Sequence, residues 1–318
     1  MHTSQSPQLR HARYIDPSVP YHVVTKTLRG QFILTPKKGI RELCAGVLAK
    51  AQLNWPSIRL YGYAFMSNHI HLMLQGPPSD FSAFMGFLKR ELSRRLGQKY
   101  RLPGTLWHQR YAMSALPTHE SQLKCLRYIL SQGVKEGLVA RPIDWPGLHC
   151  AKALLNNSSE IGEWFQASQY HQAKARNALR RTPTKISKSA FYKRLRVCLS
   201  ILPALTGYTC HERNKKLQAI NNDIIKSNEV SRKNDNIKVA GIKKVAQTSI
   251  YAASLPLSPP WWTKRRRQIT AWAKRLAPET KRFLKRYFRL QEAYRSKPPR
   301  KFEPYQLQGM WLPSIIVA

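Results

Sequence analysis

Apolar positions change period several times between residues 21 and 139, and each change marks an element. "YHVVTKTL" (21 to 28) is β-branched and reads as a strand, whereas "KKGIRELCAGVLAKAQLN" (37 to 54) carries apolar residues at helical spacing. "IRLYGYAFMS" (58 to 67) and "HIHLMLQG" (69 to 76) read as two successive strands. "DFSAFMGFLKRELSRRLGQKY" (80 to 100) predicts an amphipathic helix with Lys89, Arg90, Arg94 and Arg95 on its basic face. A short strand follows at "RYAMSALP" (110 to 117). A helix then runs from Thr118 toward Gly137, with Ser121 three residues past its opening threonine. The order β, α, β, β, α, β, α predicts an α+β domain, an antiparallel sheet with helices packed on it, because strands and helices do not alternate regularly enough for a parallel doubly wound sheet.

Alternation also sorts side chains by face. On the strand "HIHLMLQG", His69 and His71 point the same way and Met73 follows them, while Ile70, Leu72 and Leu74 turn to the other face and into a core. Two imidazoles on one face can hold one ion; they can equally be hydrogen-bonded or solvent-facing strand residues, and both readings stand on these residues alone. On the helix from Thr118, Tyr128 and Gln132 are spaced i, i+4 and share a face. Two imidazoles with an amide oxygen and open positions suit Mg²⁺ or Mn²⁺ better than a closed zinc cage. A tyrosine can attack phosphorus once the charge of the phosphate is neutralised.

Charge narrows the class of partner. The 318 residues carry 54 Lys and Arg against 16 Asp and Glu, a formal charge of +38, and a field of that sign calls for a polyanion, nucleic acid before an acidic membrane surface. No apolar run reaches membrane-spanning length and the first residues lack the apolar stretch of a secretion signal, so the expectation is a cytoplasmic, nucleoid-associated protein without membrane contact. Cys44, Cys125, Cys150, Cys198 and Cys210 form no CxxC pair, which excludes a zinc ribbon and favours reduced thiols. No GxxxxGK[ST] phosphate loop is present.

The excess charge concentrates late. Residues 1 to 150 hold 20 basic and 7 acidic residues, net +13, leaving 34 and 9, net +25, for residues 151 to 318. The chain is therefore divided into a first domain at 1–150, a basic helical extension at 151–221, a polar linker at 222–248 and a basic aromatic-rich region at 249–318. In the last of these, Trp261, Trp262, Trp272, Phe283, Tyr287 and Phe288 interleave with cations that include Lys264, Arg265, Arg266 and Arg267. Such a region either stacks on bases while its cations track phosphates, or packs as an amphipathic helix on the first domain.

Taken in order, "MSNHIHLML" (66 to 74), "GTLWHQRY" (104 to 111) and "RYILSQGVKEGLV" (127 to 139) resemble the single-tyrosine HUH transposases, and within them the insertion-sequence-200-like group with its REP-associated relatives. The resemblance covers roughly residues 12 to 150, and "DWPGLHCAKALL" (144 to 155) extends it toward longer members. It implies a ferredoxin-like fold, single-stranded or hairpin DNA as substrate, a divalent cation on His69 and His71, Tyr128 as nucleophile and Gln132 as the third ligand. Relatives with "YIxxNP" carry Asn at the position of Gln132, and many carry Pro at the position of Ser67; neither departure removes a reacting group. A homodimer is compatible with the resemblance. Two competing readings keep the same fold: a host-adopted protein that binds DNA hairpins without mobilising them, and a nuclease that uses water in place of Tyr128.

Other residues take ordinary roles. Trp107 and Arg110, with His108, are candidates for DNA contact near the cleft, although packing explains Trp107 as well. Asn68 shapes the turn into the histidine strand, Tyr61, Tyr63 and Tyr111 belong to strands, and His22 reads as a satisfied sheet residue.

Overall fold

The structure of the chain is a computed structural model. It describes residues 14–156, 158–182, 184–234 and 238–252, with positions 282 and 285 besides. The expected region at 249–318, including Lys264 to Arg267, therefore lies almost wholly outside the described residues.

Strands β1 (Tyr21–Lys26), β2 (Arg59–Phe65), β3 (His69–Gln75) and β4 (Ala112–Ala115) form one sheet in the order β2-β3-β1-β4. Every pairing is antiparallel. With helices α1 (Ile40–Asn54) and α2 (Pro78–Tyr100) in the two crossovers, this is the ferredoxin-like α+β arrangement. Tyr21 meets Phe81 of α2 edge to face at 5.8 Å, which puts α2 on the sheet face shared by Tyr21, Leu72 and Leu74. Helix α3 (His119–Leu130) covers the other face: a side chain on Gly62 of β2 would touch Leu126 and Ile129. Thr118 and Ser121 make the reciprocal capping box that starts α3, as their spacing predicts.

Beyond residue 150 the elements differ from a uniformly helical extension. After the short α4 (Ala151–Leu155) and before and after α5 (Ala167–Ala178), strands β5 (Glu160–Phe165) and β6 (Tyr192–Val197) pair as an antiparallel ribbon. It lies on α1, the helix that also packs on α2. A Cβ on Gly46 would fall 2.1 Å from Glu163 O, and one on Gly162 would fall 1.9 Å from Gly46 N, so the two backbones touch where neither residue has a side chain. Arg41 bonds Glu160 at 2.6 Å, and Trp164 stacks on Phe87 at 6.0 Å.

The polar stretch that begins at residue 222 is not an open linker in its first part. It continues α6 (Cys210–Asn234), and α7 (Ile242–Gln247) follows. Helix α6 presents only Leu217 and Ile224 as buried residues, one apolar contact every two turns, which is why its sequence looks unpatterned. It docks on α3, where Arg127 makes an ion pair with Asp223 at 2.7 Å. Among the described residues no helix is long and apolar enough to cross a membrane.

Candidate active site

The face of the sheet under α3 carries the titratable residues. Strand partners that stand directly opposite share a face, so the pairs Lys26↔His69, Val24↔His71 and His22↔Met73 place His22, Lys26, His69 and His71 together. Tyr128 comes down onto them from α3. Its ring lies 5.4 Å from that of His71 and 5.8 Å from that of His22, edge to face in both cases. His69 and His71 are 4.8 Å apart, nearly perpendicular.

Gln132 lies just past the last residue of α3, where the helix tightens: its N–H bonds Ile129 O at 3.2 Å. Gly133 follows with φ 84°, a left-handed position that turns the chain away and suits glycine. The Gln132 side chain is fully buried, and its orientation is set by one bond, Nε2 donating to Tyr128 O at 3.0 Å. Its Oε1 consequently faces His69 Nε2 at 3.5 Å.

The tautomer of His69 is fixed from the other side. Asn68 Nδ2 donates to Gly30 O at 3.3 Å, so Asn68 Oδ1 accepts from His69 Nδ1 at 2.6 Å. Burial, opposed by the contact with Gln132 and reinforced by repulsion from Lys26 and Lys135, holds the imidazole down to about 4, well under its usual range. At neutral pH His69 is thus uncharged with its proton on Nδ1, and Nε2 turns a lone pair toward the lone pairs of Gln132 Oε1. Two acceptors face each other at a distance that a cation between them would relieve.

His71 Nδ1 and His22 Nε2 share a hydrogen bond of 3.0 Å, which steadies the second imidazole from behind in the way that partners of metal-bound histidines do. Two imidazoles and an amide oxygen are a donor set that Mn²⁺ accepts and Mg²⁺ tolerates. Among the described residues no cluster of three or more His, Cys, Asp or Glu side chains is placed to hold a metal; the third donor in this set is an amide.

Positive charge surrounds the tyrosine. Lys135 Nζ sits 4.0 Å from the centre of the Tyr128 ring and also pairs with Glu136 at 3.3 Å. Lys26, Lys135 and the contact of His22 with His71 were not among the residues singled out from sequence. The β1 alternation could have flagged Lys26 and His22 as face-mates, and Lys135 is seven positions, two helical turns, beyond Tyr128.

The residues expected to touch DNA separate into groups. Trp107 bridges Thr27, and His108 N–H bonds Lys26 O at 3.0 Å, so the segment leading to the exposed Arg110 borders the His69 end of the site. Trp107 itself is buried and donates Nε1–H to Lys89 O at 2.9 Å; it packs. Lys89 Nζ reaches Gln109 O at 2.8 Å, tying α2 to the same segment. Arg90 lies over Phe87, and Arg94 pairs with Glu91 at 2.7 Å. Arg95 is half-buried between Glu91 and Trp164, 3.8 Å above the indole, with a further bond to Phe165 O at 3.2 Å. Its role in the fold is to join α2 to the β5–β6 ribbon.

Residues 17–132 match the family model described as transposase IS200 like. Among solved structures, a REP-associated tyrosine transposase bound to a REP hairpin is 16% identical over 58% of this chain and 93% of its own, with a TM-score of 0.37. A protein from Deinococcus radiodurans R1 assigned to the transposases is 18% identical over 41% of this chain and 98% of its own, with a TM-score of 0.27. No curated protein sequence gives a significant match.

Proposed function

With an IS200-like transposase domain at residues 17–132, we propose that the chain cleaves and rejoins single-stranded DNA, free or at a hairpin, through Tyr128. The observation that carries this reading is the fixed approach of Gln132 Oε1 to His69 Nε2 at 3.5 Å, one helical turn from Tyr128. An electron-rich gap of this kind fits a bound divalent ion, and it lies beside Tyr128, whose carbonyl oxygen accepts the Gln132 Nε2 hydrogen bond.

In the proposed reaction the Tyr128 hydroxyl oxygen bonds to the scissile phosphorus and gives its proton to solvent. The bond from phosphorus to O3′ breaks, and O3′ takes up a proton to leave as a free hydroxyl. The product is a 5′-phosphotyrosine. Rejoining is the reverse attack by a 3′-hydroxyl, and since one phosphodiester is exchanged for another, no nucleotide triphosphate is consumed. Mg²⁺ or Mn²⁺ held by His69, His71 and Gln132 would neutralise the phosphate under attack and fix its orientation. His22 steadies His71, Lys135 places a cation beside the reacting ring, and α3 holds Tyr128 over the sheet.

Incubation with end-labelled single-stranded oligonucleotides and Mn²⁺, followed by a denaturing gel, tests the assignment. Wild-type protein should give a covalent adduct, and Tyr128→Phe should give none while retaining DNA binding. An adduct that persists in Tyr128→Phe refutes the assignment.

A further inference from the structure

The β5–β6 ribbon lies outside the residues that match the transposase family, and one of its faces has no counterpart in the site described above. Pairing fixes the faces. Glu160, Gly162 and Trp164 turn inward with Leu195 and Val197, onto α1 and α2, and Lys193, opposite Trp164, lies at the exposed end of this face. The opposite face therefore carries Phe165 opposite Tyr192, Glu163 opposite Arg194, and Ile161 opposite Arg196.

This outward face combines rings and cations. Tyr192 is 43% exposed and its ring lies 5.1 Å from that of Phe165. Lys188 stands over Phe165 at 4.8 Å, and Arg194 and Arg196 are exposed. From residue 160 to residue 197 all nine Lys and Arg are exposed, whereas Glu163 is the one exposed carboxylate, since Glu160 is buried against Arg41. An aromatic that serves only a core has no reason to lie open on the cationic side of a ribbon already anchored by its other face.

We propose that the outward face of β5–β6 is a docking platform for single-stranded DNA, on which bases stack against Tyr192, backed by the half-buried Phe165 and Tyr170, while Arg194, Arg196 and Lys188 hold the phosphates. A flat ring accepts any base, and guanidinium and ammonium groups bind the backbone without reading sequence, so the platform supplies affinity and not target choice. It deepens the reading of the chain as an enzyme acting on single-stranded DNA by giving that strand a second foothold, separate from Tyr128 and the histidines.

Anisotropy of a labelled single strand and of a duplex of the same length, titrated with the full chain in EDTA, tests the platform without the metal site. Tyr192→Ala should weaken single-strand binding roughly tenfold, within the range for loss of one base stack, and Tyr192→Phe should restore it. The double substitution Arg194→Gln with Arg196→Gln should flatten the slope of log affinity against log salt by about 1.4, from two phosphates at about 0.7 each. Wild-type affinity in both variants overturns the proposal. An equal loss on the duplex overturns it too, since stacking needs unpaired bases. Adduct formation on an oligonucleotide too short to reach the ribbon should be unchanged in Tyr192→Ala. If wild-type protein forms no adduct at all while Tyr192→Ala still loses affinity, the Tyr128 reading fails and the platform stands.

Discussion

At the scale of single residues, the site depends on how few arrangements its polar atoms have. Asn68 and Gln132 each spend their amide N–H on a backbone carbonyl, and those two bonds decide which lone pairs meet at His69. His69, His71, Tyr128 and Gln132 were legible in the sequence because two regular periods, one of strand and one of helix, put them on facing surfaces. The pairing of His22 with His71 was not, since it needs the register of β1 against β3, and that register depends on contacts far apart in the chain. His22→Ala removes the group that orients His71, a proposed ligand, without touching the gap itself, so Mn²⁺ affinity, read by electron paramagnetic resonance of the free ion, should fall about 10- to 100-fold. Unchanged Mn²⁺ binding would exclude His22 from that role. The partial covering of Arg95 was equally hidden: on a helical wheel it belongs to the basic face, and Trp164 arrives over it from a remote strand.

At the scale of elements, the end of α3 is held by a residue that titrates. His149 is buried, donates Nε2–H to Ile129 O at 3.1 Å and accepts Ala151 N–H on Nδ1 at 3.0 Å, so both nitrogens are committed in the neutral form. Burial holds its pKa down to about 4. The unfolded chain takes up this proton near pH 6.5, whereas the folded chain resists until about pH 4. Stability from His149 is therefore complete above the upper value and declines as pH falls through the window, by at most about 1.4 kcal/mol per pH unit. Urea midpoints measured across that window should fall, and His149→Gln, less stable at neutral pH, should fall less steeply; parallel slopes would mean that His149 does not titrate in the transition. The seven elements of the first domain were readable because each is amphipathic and joins its neighbour by a short connection. Strands β5 and β6 were not, being separated by a helix and paired only through a mostly exposed ribbon, and α6 hid behind its sparse apolar stripe.

At the scale of the whole molecule, charge and architecture part company. The sequence carries most of its net charge after residue 150, yet the ribbon at 160–197 is bound into the first domain by backbone contact at Gly46 and Gly162 as well as by Arg41 and Arg95. Gly162→Ala puts a methyl group where Gly46 N would lie 1.9 Å away, an overlap only backbone movement can relieve. The variant should lose about 1–3 kcal/mol, the range for an overpacked contact, and proteolysis should begin near residues 160–197 before the main sheet is attacked. A wild-type melting temperature together with an unaltered cleavage pattern would show that the contact is looser than these backbones imply.

Helix α1 has buried residues around nearly its whole circumference, with Cys44, Ala45, Gly46, Val47, Leu48 and Ala49 all inaccessible. It packs on α2, which lies inside the family match, and on the β5–β6 ribbon, which lies beyond it. The family match thus draws a border at residue 132 that folding does not recognise. A gene fragment cut there would encode a protein with half the wall of its central helix missing, and what it left bare to water would be apolar.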